Sequence, residues 1–277
     1  MKTKKSTGLI LLEILMIILA ILFLFPLFLI FYNSLKSFSE IMTNVMALPS
    51  HFQFSNYSHV WTLINYPRLF LNNFVITSIA IVGIIGISSL AAYKLSRTNT
   101  RYSGIIYMLC IIPMLIPFQS IMITVLKFSK ILHLSDSTWG LGILYWGFGA
   151  PLAMFIYHGF VKTIPQEIDE SATIDGASTI QLFVSVIFPL LQSVTATIVI
   201  IDVMWIWNDF LLPLIMVNGS ASTKTLTLAA YTFVGQYTTD WQYAMTAMVM
   251  AVFPSILVFI LLQKHIVKGV AAGAIKG

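Results

Sequence analysis

The fold of this chain is decided by a polar stretch between two long apolar ones, Ile164-Pro165-Gln166-Glu167-Ile168-Asp169-Glu170-Ser171-Ala172-Thr173-Ile174-Asp175-Gly176-Ala177. Pro165 suits the first turn of a helix, where its missing N–H costs nothing. The acids at 167, 169 and 170 fall in the same turn, where the helix dipole favours negative charge. Gly176 can adopt the left-handed conformation that ends such a helix. The stretch therefore predicts a short helix, a sharp turn and a second helix from about Ser178, forming a loop that fits a socket on another protein.

The composition is that of a membrane protein, with 58% hydrophobic residues, only 9% charged residues and a mean hydropathy of +0.91. Six apolar stretches can each supply the roughly 20 residues that cross a bilayer. Backbone groups in lipid must be satisfied internally, so these stretches are helices and the fold class is all-α and polytopic. The fifth stretch is longer than a span, so only part of it is buried. The predicted spans are Ile10–Tyr32, Asn72–Tyr93, Ser103–Leu126, Thr138–Phe160, Leu182–Val217 and Tyr243–Leu262.

The basic residues predict the orientation of these spans. Cytoplasmic N- and C-termini place ten lysines and arginines inside and five outside, the asymmetry of the positive-inside rule. The inner set is Lys2, Lys4, Lys5, Lys94, Arg97, Arg101, Lys162, Lys264, Lys268 and Lys276, and the outer set is Lys36, Arg68, Lys127, Lys130 and Lys224. The acidic stretch then lies in the cytoplasm. The net charge of +5 is therefore a topology signal, because basic residues scattered among short loops do not favour nucleic-acid binding.

The first span is predicted to be a retained membrane anchor. Its apolar run is too long for the core of a signal peptide, and no small-x-small cleavage motif precedes Asn33. The external segment 33–71 follows, and its aromatic residues suit a helix at the membrane surface.

Two groups of residues are candidates for a solute pathway. Asp202, Trp205 and Asp209 are spaced to line one face of the fifth helix. An ionised aspartate costs about 2.5–3.5 kcal/mol at the bilayer centre and rarely faces lipid, which favours a water-filled cavity in which Trp205 offers a flat face to a sugar ring. The alternative is that Asp209 and Asn208 brace neighbouring helices by hydrogen bonds. Both interpretations stay open at this stage.

Prolines are expected to interrupt the third and fourth spans. The Pro113–Pro117 pair is assigned to the pathway because Gln119 follows it, and Pro151 is assigned to packing.

Catalysis by this chain is not expected. The Gly-x4-Gly-Lys-Ser/Thr phosphate loop is absent, and Gly219–Thr225 is a near miss without the second glycine. The five histidines lack metal-ligand spacing, so no metal site is predicted. Cys110 is the only cysteine and is assigned to packing.

Several motifs resemble those of ABC importer permeases of the carbohydrate-uptake type. Glu170-Ser171-Ala172, Gly176 and Pro189 match the Glu-Ala-Ala loop of that family, with Ser171 in place of the first alanine and Phe188 in place of the leucine before the proline. Further matches are Trp207-Asn208-Asp209-Phe210, Leu90-Ala91-Ala92-Tyr93, Pro117-Phe118-Gln119, Thr239-Asp240-Trp241 and the tail Val267–Gly277. The similarity is weakest over 33–71. It points to a protein similar to the smaller permease subunit of the maltose importer.

The resemblance implies a type I ABC importer permease in the bacterial cytoplasmic (inner) membrane, made of one membrane domain over residues 1–277. Its parts would be the first helix 10–32, the external segment 33–71, the core permease domain 72–265 with a cytoplasmic coupling loop 163–181, and a cytoplasmic tail 266–277 that can reach an ATPase. The implied partners are a homologous permease, two ABC ATPase subunits and an extracellular or periplasmic sugar-binding protein. ATP and Mg²⁺ would be used by the ATPases, with no cofactor bound by this chain. The implied ATPase-coupling residues are Glu167, Glu170, Ser171, Ala172, Asp175, Gly176 and Ala177.

Other classes remain as alternatives: a secondary transporter, a non-transporting membrane scaffold, and an ABC permease for another solute. Internal repeats, which many secondary transporters contain, are not evident in the sequence. The resemblance favours a sugar, and an oligosaccharide over a monosaccharide, without naming it.

Overall fold

The computed structural model describes residues 7–234 and 239–274, and within these ranges it contains α-helices and no β-strand. A 3₁₀ turn over Ile112–Leu115 and a π-helical segment over Leu182–Ile187 interrupt the α-helices. The helices are α1 (Thr7–Asn33), α2 (Phe38–Thr43), α3 (Ser55–Leu63), α4 (Tyr66–Arg97), α5 (Arg101–Ile111), α6 (Phe118–Ile131), α7 (Thr138–Val161), α8 (Glu167–Ile174), α9 (Thr179–Gln181), α10 (Phe188–Leu190), α11 (Gln192–Asn208), α12 (Leu211–Met216), α13 (Leu226–Thr232) and α14 (Trp241–Ala274).

The predicted all-α polytopic fold is confirmed. In the described part of the chain, four helices are long and apolar enough to cross a membrane, and two bent helix pairs bring the number to six if each pair counts as one span. The four helices are Gly8–Asn33, Tyr66–Arg97, Thr138–Val161 and Trp241–Leu261. The bent pairs are Arg101–Leu115 with Phe118–Ile131, at 105°, and Thr179–Leu190 with Gln192–Asn208, at 74°.

The third predicted span, Ser103–Leu126, is not one continuous helix. Its helix tightens into the 3₁₀ turn that contains Pro113 and ends at Ile116, whose backbone is extended. This conformation is the one that a following proline favours, and Pro117 then starts α6 in a new direction. The expected interruption at the Pro113–Pro117 pair is therefore confirmed, and it is a sharp break.

The expected interruption of the fourth span at Pro151 is wrong, because α7 runs unbroken from Thr138 to Val161. Pro151 is buried within it. Next to the proline, the hydroxyl of Ser88 in α4 donates a hydrogen bond to the carbonyl of Ala150 at 3.2 Å.

Glycines allow α4 and α7 to pack closely. A Cβ at Gly149 would collide with Ile84, and a Cβ at Gly83 would collide with the indole of Trp146. That indole is fixed, because its Nε1–H donates to the carbonyl of Ile79 at 2.9 Å. Small residues at a helix contact are the usual means by which membrane helices approach each other. The buried core around this contact includes Ile84, Leu141, Tyr145, Tyr157, Ile187 and Ile198.

The chain divides into two compact units, one made of the residues up to Tyr66 with Ala229–Ala251 and the other of Pro67–Leu228 with the residues from Val252 onward. In the first unit, the Asn56 amide donates to the carbonyls of Ser34 and Lys36, both at 2.9 Å, and Thr246 also donates to the Ser34 carbonyl. These bonds tie α3 and α14 to the chain that leaves α1. The predicted domain boundaries stay a prediction.

The turn before α2 is closed by a reciprocal cap between Ser37 and Glu40. The side chain of Ser50 and the backbone N–H groups of Ser37 and Ser50 also donate hydrogen bonds to the Glu40 carboxylate. Because these bonds favour the charged form, they lower the pKa of Glu40 to about 2.

Candidate functional site

The acidic stretch forms a helix–turn–helix that projects from the end of α7. Its first helix, α8, begins at Glu167, so Pro165 lies two residues before the helix and not in its first turn as expected. Glu167, Asp169 and Glu170 occupy that first turn as predicted. Helix ends vary by one or two residues, and here Gln166 accepts the first backbone bonds, from Asp169 and Glu170.

The turn after α8 is a Schellman motif centred on Gly176. Gly176 has φ +83°, the left-handed conformation that was predicted for it. The N–H of Ala177 donates to the carbonyl of Ala172 at 3.0 Å, and the N–H of Gly176 donates to the carbonyl of Thr173 at 3.1 Å. These two bonds satisfy carbonyls that the helix end would otherwise leave unpaired.

The second helix also starts with a defined cap. The hydroxyl of Ser178 accepts from the N–H of Gln181, and the side chain of Gln181 accepts from the N–H of Ser178 at 2.9 Å. The π-helical segment follows at once and packs Leu182, Phe183 and Ile187 into the core. The predicted helix from about Ser178 is confirmed, and the turn is fixed on both sides by backbone bonds.

An ion pair attaches α8 to α4. Arg97 donates from Nη2 to Oδ2 of Asp169 at 2.8 Å and from Nη1 to the carbonyl of Ile164 at 3.0 Å. The hydroxyl of Tyr93 donates to Oδ1 of Asp169 at 2.5 Å. The side chains of Arg97 and Asp169 are only 14% and 16% exposed, so water screens the pair weakly. This contact places the loop at a fixed position relative to a long membrane helix.

The loop presents apolar side chains outward. Ile174 is 86% exposed and Ile180 is 75% exposed, on either side of the Gly176 turn, while Ile168 and Ala172 pack against the core. Exposed large apolar residues on an otherwise polar loop are typical of a surface that a partner covers. Among the predicted coupling residues, Glu167, Glu170, Ser171, Asp175 and Gly176 are exposed, and Ala172 and Ala177 are half-buried.

Of the five side chains predicted for the pathway, one lines a cavity of about 490 Å³, whose wall also contains Pro113, assigned to the pathway, and Pro151, assigned to packing. The cavity is mainly apolar and lies between α6, α7 and the break in the third span, with Trp205 of α11 in its wall. Trp205 is 42% exposed, and its ring meets that of Tyr145 edge-on at 5.5 Å. Gln119, Asp202, Asn208 and Asp209 do not line this cavity. The structure therefore does not gather the five predicted pathway residues in one cavity.

Asp209 does not continue the helical face of Asp202 and Trp205, as the spacing predicted. α11 ends at Asn208, and Asp209 is extended with ψ 139°. Its Oδ2 accepts from the Tyr145 hydroxyl at 2.8 Å, and its Oδ1 accepts from the N–H of Leu211 at 3.1 Å. The Asp209 side chain accepts a hydrogen bond from a backbone N–H that would otherwise bond within the helix. This competition is the physical reason why the helix ends here.

Hydrogen bonds of Asn208 and Asp209 join separate helices. Ser255 of α14 donates to Oδ1 of Asn208 at 3.2 Å, and Thr227 of α13 donates to the backbone carbonyl of Asp209 at 2.7 Å. These contacts are the ones that the bracing interpretation requires. Asp202 is 3% exposed, and its Oδ2 has no hydrogen-bond partner among the described residues. Gln119 is exposed near the start of α6. A pathway role for any of these residues stays a prediction.

Sequence reasoning missed Tyr93, Arg97 and Asp169 as parts of the site. Arg97 and Asp169 are 72 positions apart, and no local pattern connects them. The only available signal was the charge of each residue next to an apolar span. The predicted tail contact, Lys268–Gly277, lies outside the described side chains, and residues 275–277 lie outside the described residues altogether, as do Lys2, Lys4 and Lys5.

The bent spans and the projecting loop define a membrane transport subunit of the importer type. The family model described as "Binding-protein-dependent transport system inner membrane component" matches residues 83–272, and the chain belongs to this family. The matched range contains α8, the Gly176 turn and the bent fifth span. The family that the motifs predicted is thereby confirmed.

Curated relatives match over nearly the whole chain. It is 40% identical over 267 residues to the probable starch degradation products transport system permease protein AmyC of Thermoanaerobacterium thermosulfurigenes, covering 96% of each chain. It is 35% identical to the multiple sugar-binding transport system permease protein MsmG of Streptococcus mutans serotype c, covering 92% of this chain and 93% of the relative. It is 30% identical to the melibiose/raffinose/stachyose import permease protein MelC of Bacillus subtilis, covering 100% of each.

A solved structure shares the fold. A chain from the crystal structure of a bacterial ABC transporter involved in the import of the acidic polysaccharide alginate superposes with a TM-score of 0.80 at 21% identity, covering 95% of this chain and 99% of that chain.

Proposed function

We propose that this chain is a permease subunit of an ATP-binding cassette importer that takes up sugars, with oligosaccharides as the preferred class. The observation that carries the proposal is the rigid loop around Gly176, tied to α4 through Asp169 and exposing Ile174 and Ile180. The names of three relatives support the sugar class, since they refer to starch degradation products, multiple sugars and melibiose, raffinose and stachyose.

The proposed mechanism uses the loop as a lever. A partner that covers Ile174 and Ile180 would move α8 when it changes shape, and the Arg97–Asp169 pair would pass that movement to α4. The turn is held by backbone bonds on both sides, so the loop moves as a body and does not absorb the displacement. Two ATPase subunits that use ATP and Mg²⁺ are the proposed partners at this loop, and this chain binds no cofactor.

The remaining assembly follows from the family. We propose a homologous permease as the second half of the pathway, a sugar-binding protein on the external side, and a bacterial cytoplasmic membrane as the location. In α1, which starts at Thr7, the most apolar 18-residue stretch has no residue buried by the rest of this chain, and this is compatible with a partner permease or lipid on its surface.

Uptake of labelled sugars tests the proposal in cells with and without this gene. Deletion should abolish uptake of one class of oligosaccharide, and re-expression should restore it. Depleting ATP while preserving the proton gradient should stop uptake. Collapsing the proton gradient alone should leave uptake intact. Uptake that stops when the gradient collapses but continues without ATP would indicate a secondary transporter. Normal uptake of every sugar in a strain without redundant importers would disprove the sugar assignment.

The partner surface has its own test. Ile180→Gln should reduce uptake and co-purification of the ATPase, because it removes apolar area from the contact. Thr179→Gln changes the adjacent exposed residue and serves as the control. Equal effects of the two substitutions would argue against a specific apolar contact at Ile180.

A further inference from the structure

A second cavity, of about 410 Å³, lies where α4 ends, α5 begins and α7 ends. Its volume falls in the range of small-molecule sites. The lining is mainly polar, contains Lys162 and His158, and includes no carboxylate. The cavity lies beside the coupling loop but shares only Gln166 with it, the residue before α8.

His158 and Lys162 are the two lining residues with a nitrogen that can carry positive charge. His158 is 8% exposed, and its ring stacks on Tyr107 with the centroids 3.9 Å apart and the planes at 20°. Across residues 7–234 and 239–274, no group is hydrogen-bonded to the imidazole of His158 or to the ammonium of Lys162. Because His158 lines the cavity, its imidazole is available to hydrogen-bond to a ligand held there.

Two helices, α4 and α7, end at this cavity, and their last carbonyl groups carry partial negative charge. The N–H of Thr98 donates to the carbonyl of Lys94 at 3.1 Å, and the hydroxyl of Ser103 donates to the carbonyl of Thr98. The N–H of Lys162 donates to the carbonyl of His158 at 3.3 Å. Only the bond from Ser103 reaches a carbonyl from outside the helix that ends there, so the attraction for an anion comes from the ammonium of Lys162.

The start of α5 adds positive character. Thr100 caps this helix, because its Oγ1 accepts from the N–H of Ser103 at 3.2 Å, and its own hydroxyl proton stays available to a ligand. The N-terminus of a helix carries partial positive charge. The carboxylate of Asp169 is paired with Arg97 and does not line the cavity, whereas Lys162 does.

We propose that this cavity binds a phosphate group, with Lys162 pairing with its charge and with His158 and Thr100 donating hydrogen bonds. Donors that converge from the end of α7 and the start of α5 suit an anion with several acceptor oxygens, and a phosphate group provides three or more. The group can belong to a lipid headgroup or to a free phosphate, since both present the same chemistry. Because Gln166 also lines the cavity, a bound phosphate would contact the base of the coupling loop, a consequence that rests on the proposed function.

Binding is measured on the purified full chain in dodecyl maltoside and phosphate-free buffer. In one arm, radiolabelled inorganic phosphate is titrated by equilibrium dialysis. In the other, micelles contain either phosphatidylglycerol or a diacylglycerol of the same acyl chains, and native mass spectrometry counts the retained lipid. The variants are Lys162→Gln, His158→Phe, which keeps a ring for stacking on Tyr107, and Lys94→Gln, an exposed control outside the cavity.

We expect saturable binding of at least one phosphate-bearing probe, weakened about tenfold by Lys162→Gln and unchanged by Lys94→Gln. Saturation by inorganic phosphate would identify a free phosphate, and saturation by phosphatidylglycerol alone would identify a headgroup. The proposal is overturned if neither probe saturates, if diacylglycerol is retained as well as phosphatidylglycerol, or if Lys162→Gln binds like wild type. Transport is not measured, so a failure here is distinguishable from a failure of the coupling function.

Discussion

Gly176 is the residue on which the shape of the coupling loop depends. Its φ of +83° is costly for any residue with a β-carbon, and a β-carbon built there would meet no atom within 4 Å. The cost of a substitution therefore comes from the backbone alone, at about 1–3 kcal/mol for an ordinary residue and more for a β-branched one. The Ala177 to Ala172 bond exists only in this conformation.

Gly176→Val should lower uptake about tenfold or more while the amount of protein in the membrane stays near normal, because the turn fails without affecting the spans. Gly176→Asn is the matched control, since asparagine tolerates the left-handed region, and it should retain most of the uptake. Both are measured as initial uptake rates normalised to immunoblotted membrane protein. Wild-type uptake by Gly176→Val would contradict the need for this turn.

Arg97 links the loop to α4 through geometry as well as charge. Its guanidinium reaches both the Asp169 carboxylate and the Ile164 carbonyl, and a lysine ammonium cannot reproduce that fork. Arg97→Lys should weaken the attachment by about 1–3 kcal/mol and uncouple ATP hydrolysis from uptake. The measurement is the ratio of ATP hydrolysed to sugar transported in reconstituted vesicles.

Arg101→Lys provides the control for Arg97→Lys, because Arg101 is exposed at the start of α5 and makes none of these bonds. An unchanged ratio in both variants would show that the Arg97–Asp169 pair does not transmit the motion.

At the scale of the element, the helix break at Asp209 bears on the two interpretations that the sequence left open for this residue. One places Asp209 in the lining of the solute pathway, and the other makes it a brace between helices. An asparagine in place of this aspartate would keep both side-chain hydrogen bonds, because the Tyr145 hydroxyl can accept as well as donate. Asp209→Asn should therefore leave folded amount and uptake near wild type, and Asp209→Ala should destabilise the fold by about 1–3 kcal/mol. If Asp209→Asn folds normally but loses uptake, the negative charge itself is required and the pathway interpretation is correct.

The contact between α4 and α7 has a matched pair of glycines on α4. Gly83→Ala should destabilise the protein by about 1–3 kcal/mol, because the new methyl group displaces the Trp146 indole from its bond to Ile79. Gly86→Ala places the same methyl group where no atom lies within 4 Å. The midpoint of thermal unfolding in detergent is measured for both variants. Equal midpoints for Gly83→Ala and Gly86→Ala would show that Trp146 moves aside at no cost in stability.

These elements also show what the sequence could predict and what it could not. The α8 helix, the Gly176 turn and the start at Ser178 follow from local preferences of proline, glycine and serine, so they were predictable within two residues. The 105° break in the third span was signalled by Pro117, but its angle depends on packing. The prediction that Asp202 and Asp209 share one helix face assumed a continuous helix. Tertiary hydrogen bonds end that helix at Asn208. The Arg97–Asp169 pair required knowledge of the tertiary fold.

At the scale of the whole molecule, the structure places Arg68 and Arg97 at opposite ends of α4. This helix has 32 residues, about 48 Å at 1.5 Å per residue, which exceeds the roughly 30 Å of a bilayer core. At its start, Arg68 and Asn72 donate to the carbonyl of Ser222, so the loop 219–225 lies at this end. At its other end, Arg97 holds the coupling loop. The length and composition of α4 predict that it crosses the membrane, which would place the two loops on opposite sides.

The positive-inside rule predicts which end is cytoplasmic, and single cysteines test it in a Cys110→Ser background. Ala221→Cys should react with a membrane-impermeant maleimide in intact cells, and Thr179→Cys should react only after permeabilisation, since both positions are exposed but lie at opposite ends. The reverse pattern would place the coupling loop outside the cell, where no ATPase can reach it, and would overturn the proposed function together with the orientation. Labelling of both cysteines in intact cells would contradict the assignment of α4 as a membrane span. The expected pattern places ten basic residues and the Ile174–Ile180 surface on the side where ATP is available, and this is the arrangement that the lever mechanism requires.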